Sequence, residues 1–167
     1  MLITYLQKIV WFIGLVLLQA LVLNSVHIGG YATPLLYVYL LLRFESDASR
    51  NELMLWAFFL GLLVDVFSDT PGMNAAAAVL LAFVRPFVFR LFASRDAVES
   101  IVPSWWTMGG SSYLKYAFVC ILVHHAALFS VEYFSFAHVW QVMLHVVCSS
   151  VLTLLCVLAI EFMRRRK

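Results

Sequence analysis

The sequence predicts an all-α membrane protein, a single polytopic domain over residues 1–167 with six transmembrane helices, on two observations. First, 64% of the residues are hydrophobic and only 12% are charged, against an apolar share of about 45–50% in water-soluble domains. Second, one assignment of spans, at about 9–28, 33–43, 53–68, 73–92, 113–134 and 139–163, gathers all 11 Lys and Arg residues on one side. Lys and Arg resist translocation and accumulate in cytoplasmic loops. The connections near 27–32, 68–72 and 133–138 contain neither, so both termini are expected in the cytoplasm.

The first span follows Lys8 and runs apolar from Ile9 to Val26. That is longer than the roughly 7–15 residues of a signal-peptide core, and no small-x-small cleavage site follows it, so a retained helix is expected. The second span is short. Pro34 suits its first helical turn, where a missing N–H leaves nothing unsatisfied, and Arg43 ends it. A re-entrant segment would invert every later loop, so the charge pattern favours a crossing.

The third and fourth spans are joined through Pro71-Gly72, a pair suited to a reversal. Asn74 or Thr70 is the expected cap of the fourth helix. Ala75, Ala78 and Ala82 form a small-residue stripe that lets another helix approach closely. Near the other end of the fourth span, Arg85 is expected either to snorkel to the head groups or to pair with Glu161.

The longest soluble segment, Ala93 to Ser112, carries Asp96, Glu99, a Trp105-Trp106 pair and the run Gly109-Gly110-Ser111-Ser112, which reads as flexible. Adjacent Trp residues fit the head-group belt of the cytoplasmic surface. The fifth and sixth spans contain His124, His125 and His145, with His138 between them. The depths of these residues differ too much for a metal site, and hydrogen bonds to Ser149, Ser150 or Thr153 are expected instead. Cys120, Cys148 and Cys156 lie inside spans, and no disulfide framework or metal spacing is implied. The terminal Arg164-Arg165-Arg166-Lys167 reads as a stop signal and a contact for anionic membrane lipids rather than for nucleic acid.

The most pointed stretch is Gly61 to Ala75, where Gly61, Asp65 and Asp69 recur at four-residue intervals. Residues four apart share a helix face, so the carboxylates could hold a cation. The spacing also resembles half of the CDP-alcohol phosphatidyltransferase motif, but the upstream Asp-Gly half is replaced by Glu45-Ser46-Asp47-Ala48-Ser49-Arg50. A structural reading fits better: Asp65 accepts hydrogen bonds from the turn, and Asn should then replace it with less damage than Leu.

The same stretch, a Gly-x3-Asp helix end followed by a turn, Gly72-Met73-Asn74-Ala75 and an alanine-rich helix closed by Arg85-Pro86, resembles the signature of the rod shape-determining protein MreD family. That resemblance implies a fold similar to the S component of energy-coupling-factor transporters. It also implies a non-enzymatic scaffold of the bacterial inner membrane, without a cofactor. Such a scaffold binds an MreC-like single-span protein and acts in the elongasome with MreB, RodA and its transpeptidase partner, supporting lateral peptidoglycan synthesis and cell shape. The matching positions are Asp65, Gly72 and Asn74, with a structural or partner-facing role. Gly61, Asp69, Ala75, Ala78 and Arg85 are further candidates.

A rival reading is the substrate-binding membrane component of a small-solute, vitamin-like transporter. Its outward pocket would draw on Asn24, His27, Tyr31, Asp65, Asp69, Asn74, Glu132 and His145.

Overall fold

The computed structural model describes residues 2–25, 32–93, 100–133 and 139–164, and its elements there are helical. In chain order they are α1 (Leu2–Leu21), a 3-10 turn (Leu23–Ser25), α2 (Val38–Leu42), α3 (Arg50–Ser68), α4 (Met73–Phe92), α5 (Trp105–Met108), α6 (Gly110–Glu132) and α7 (Val139–Arg164). Four of them, α3, α4, α6 and α7, are long and apolar enough to cross a membrane, which makes this a multi-pass membrane protein by length and composition. A shorter apolar helix, Tyr5–Leu21, is the body of α1. The outer surface is apolar, as lipid contact requires: Leu21, Val66, Leu91 and Trp140 are all at least 70% exposed.

Consecutive helices pack in a chain, α3 on α4, α4 on α6 and α6 on α7, with α1 against α3. The local chemistry explains the boundaries. Ser49 caps α3 by accepting from the Glu52 N–H at 3.2 Å, with Glu52 itself in the first turn. The helix stops at Asp69, which adopts a left-handed conformation (φ 55°) and donates its N–H to the Asp65 carbonyl. The turn is completed by Gly72 at φ 78°, a conformation that favours glycine. Pro86 sits inside α4, which continues through it to Phe92.

The second predicted span is corrected. Only Val38–Leu42 is helical, and residues 33–35 run in an irregular conformation, so Pro34 lies four residues before the helix rather than in its first turn. Irregular backbone within a membrane domain is tolerated only where protein groups replace the missing helix bonds. Here they do. The Thr33 N–H donates to Ser149 Oγ at 3.1 Å, the Leu35 N–H to Thr153 Oγ1 at 3.0 Å and the Leu36 N–H to Gln19 Oε1 at 2.8 Å, while Gln19 Nε2 donates to the Pro34 carbonyl at 3.1 Å. Residues 35–42 are buried throughout.

The contacts of residues 33, 35 and 39 with Ser149, Thr153 and Glu161 follow α7 over roughly 18 Å of its axis.

The segment after α4 differs from expectation at its far end. Ser104 and Thr107 form a capping box around the single turn of α5, and Trp105 and Trp106 pack on Phe162 of α7. Gly110-Ser111-Ser112 is not a loose run but the first turn of α6. A Cβ at Gly110 would collide with the Trp105 ring, so this glycine makes room for an indole. Asp96 and Glu99 of the same segment, His27, Tyr31, His138 and the cluster Arg165-Arg166-Lys167 lie outside the described residues.

Candidate functional site

The α3–α4 hairpin brings Gly61, Asp65, Asn74 and Ala75 together. A Cβ on Gly61 would lie 2.5 Å from Ala75 Cα and 2.6 Å from both Ala75 N and the Asn74 carbonyl oxygen, so only glycine admits the two backbones at this separation. Gly61→Ala is therefore expected to lower the detergent melting temperature, with overpacking costing about 1–3 kcal/mol. Gly14→Ala, whose added methyl meets open space within helix α1, should melt no lower than the parent.

That close approach carries Asp65 beneath the first turn of α4. Its Oδ1 accepts from Thr70 Oγ1 at 2.8 Å and from the backbone N–H and side-chain Nδ2 of Asn74, both at 2.9 Å. Its Oδ2 accepts from the Ala75 N–H at 2.9 Å. Helix N-termini leave N–H groups without intrahelical partners and carry partial positive charge, so a buried carboxylate is well matched there. The cap of α4 is thus Asp65 reaching across from α3. The expectation that Asn74 or Thr70 caps the helix is overturned, because both instead donate to that carboxylate.

Asp69 does not join the site. The helix has ended at Ser68, so the four-residue relation with Asp65 is lost and Asp69 faces outward. Among the described residues no group of three His, Cys, Asp or Glu side chains is arranged to hold a metal ion.

From Asn74 the network continues inward. Tyr37 on the irregular segment lies 2.9 Å from Asn74 Oδ1 and 2.9 Å from His124 Nε2. The donors can be ordered. Asn74 Nδ2 faces Asp65, so its Oδ1 must accept from Tyr37 OH, which requires His124 Nε2–H to donate to the tyrosine oxygen. His124 Nδ1 is then a buried lone pair with no partner, as observed. One directed chain, His124 to Tyr37 to Asn74 to Asp65, therefore ties α6, the irregular segment, α4 and α3 together. His125 makes a parallel link. Its Nδ1 donates to the Ile121 carbonyl at 2.8 Å, and its Nε2 accepts from Thr153 Oγ1 at 3.2 Å. The partner expected for the histidines among Ser149, Ser150 and Thr153 is found for His125, whereas the partner of His124 is Tyr37.

Arg85 behaves in neither expected way. It is 2% exposed, so it does not snorkel, and it forms no ion pair among the described residues. Its Nε donates to Tyr116 OH at 2.8 Å, and its Nη2 donates to the carbonyls of Leu42, at 3.3 Å, and Phe44. Tyr116 OH donates in turn to the Leu42 carbonyl at 2.9 Å. The guanidinium thus holds the carbonyl of Leu42, the last residue of α2, and that of Phe44 just beyond it, where helix polarity favours a cation. Glu161, its expected partner, accepts from Tyr39 OH at 2.7 Å.

Ala75, Ala78 and Ala82 are all buried on the face of α4 that meets its neighbours. Sequence reasoning passed over Gln19, Tyr37 and Tyr116. Gln19 carried a legible signal as a polar side chain within an otherwise apolar span. The two tyrosines did not, because an amphipathic ring is equally at home in a lipid interface.

No family model, curated protein or solved structure matches the chain.

Proposed function

We propose that this protein is an MreD-type scaffold of the bacterial inner membrane. It crosses six times with both termini in the cytoplasm, binds an MreC-like single-span partner, and supports lateral peptidoglycan synthesis and cell shape without catalysing a reaction itself. In this arrangement the first and second crossings are α1 and the partly irregular segment 33–43, whose backbone groups are satisfied by protein partners as a membrane crossing requires.

The observation that carries the reading is the saturation of the Asp65 carboxylate by four donors of its own hairpin. A catalytic or ligand-holding carboxylate keeps an oxygen turned to its substrate, whereas one whose oxygens are taken by a helix N-terminus fixes backbone geometry. The motif residues therefore serve shape, which is what a scaffold requires of them. The uptake reading needs convergent polar groups free to meet a solute. Instead Asn24 donates to Ser68 Oγ and accepts from Gln19, and Asn74 is bonded to Asp65 and Tyr37.

The test is depletion of the protein in its own rod-shaped host. Cells should widen and round within a few generations and recover on re-expression. Cells that keep their width and instead require a supplied vitamin-like solute would replace the scaffold with the uptake component.

A further inference from the structure

A cavity of about 330 Å³ opens between the ends of α1 and α7, lined by Lys8 and Trp11 of α1, Tyr39, Arg43 and Glu45 around the end of α2, and Arg164 of α7. It lies at the end of the bundle where the cations gather, and neither the Asp65 network nor Arg85 contributes to it. Its charge is unevenly compensated. Lys8 is ion-paired with Glu45 at 3.0 Å and with Glu52 at 3.7 Å. Arg43 and Arg164 form no ion pair among the described residues, and Arg43 Nε is buried without a hydrogen-bond partner.

A guanidinium with an unmatched buried N–H beside a cavity calls for an acceptor with several oxygens. Phosphate matches it best, because arginine meets phosphate through parallel charge-assisted bonds. The walls indicate where that phosphate comes from. Trp11 and Tyr39, in edge contact at 5.9 Å, are the ring types that sit at head-group level. Beside the cavity, Leu6 and Val10 of α1 and Phe162 and Met163 of α7 are exposed, an apolar surface along which acyl chains can lie. The volume is at the small end of ligand sites, which run to about 300–1,000 Å³, so it suits a head group rather than a whole lipid.

We propose that this cavity holds the phosphate head group of an anionic phospholipid, with Arg43 and Arg164 as its counter-charges and the acyl chains running out between α1 and α7. Arg43 and Arg164, which have no ion-pair partner among the described residues, give the preference for an anionic lipid. A zwitterionic one brings its own cation to a site that already has two.

The test is native mass spectrometry of the full chain in mild detergent, titrated separately with phosphatidylglycerol, phosphatidylcholine and inorganic phosphate. Phosphatidylglycerol should be retained in preference to phosphatidylcholine. Arg43→Gln and Arg164→Gln should each reduce that retention by about tenfold, the scale of a lost hydrogen bond to a charged group. Arg90→Gln removes an exposed cation from the same end of the bundle, outside the cavity lining, and should change nothing. Should Arg43→Gln fail to fold, Arg164→Gln carries the test, because that side chain is exposed. Equal retention of the two lipids, or a loss in Arg90→Gln as large as in the cavity variants, would overturn the site. Displacement of phosphatidylglycerol by millimolar inorganic phosphate would overturn the lipid as its occupant.

Discussion

Asp65→Leu is expected to remove most of the folded protein from the membrane. The substitution leaves the Asn74 and Ala75 N–H groups, the Asn74 amide and the Thr70 hydroxyl without their acceptor. Each buried donor left unmatched costs about 1–3 kcal/mol, so four together rival the whole stability of an ordinary domain, about 5–15 kcal/mol. Relaxation of the turn recovers part of this, since the half-buried Thr70 hydroxyl can turn to water. The two N–H groups of α4 cannot, because Gly61 holds the helices in contact above them.

Asp65→Asn should fall between the parent and Asp65→Leu. An amide can present its oxygen to the three donors at Oδ1, but its NH2 then faces the Ala75 N–H, so one bond is lost and two donors oppose each other. The expected cost is about 1–3 kcal/mol. This is harsher than the sequence implied, because only the structure reveals that both carboxylate oxygens are used. Membrane abundance and the melting temperature in detergent give the order parent, Asn, Leu. An Asp65→Leu protein that is abundant and melts like the parent would refute the anchoring role.

Arg85→Met is the second large effect. Methionine fills much the same volume but leaves the Phe44 carbonyl without its donor and the Leu42 carbonyl with Tyr116 alone. Hydrogen bonds to a charged group contribute about 1.5–3 kcal/mol each. Removing a buried charge also relieves its desolvation penalty, which acts in the opposite direction. The carbonyls decide the balance, since they end a short helix buried in a membrane domain and water does not replace the donor. A net loss of roughly 2–3 kcal/mol is expected. Arg85→Lys should lie between, because an ammonium is a point charge and cannot match the fork that spans Tyr116, Leu42 and Phe44. Melting curves of the three proteins check the order; equal melting of Arg85→Met and parent would show that α2 is held by other contacts.

The parts of this fold that were legible share a cause. Helices α3, α4, α6 and α7 are recorded in long apolar runs with polar punctuation at their ends, so each can be read within its own segment. The Asp65 turn was legible because its donors lie within ten residues of it. The segment 33–43 was misread because its backbone is satisfied by Gln19, Ser149 and Thr153, up to 118 residues away. No local pattern announces a partner at that distance. Arg85 failed for a related reason: a cation in a span implies a carboxylate or the interface, and the partner was instead the end of a helix too short to be recognised. Gly110 looked like a flexible linker because a sequence does not show that Trp105 fills the space of the missing side chain.

The proposed scaffold works by holding other proteins together, so it is tested by what leaves the membrane with it. A tagged chain extracted gently from its host and followed by quantitative mass spectrometry should bring an MreC-like single-span protein in near-constant ratio. The yield should fall with Asp65→Asn only in proportion to the folded protein that remains. Recovery of ATPase subunits in place of that partner, or an Asp65→Asn protein that is abundant and fully assembled yet unable to sustain cell width, would contradict it.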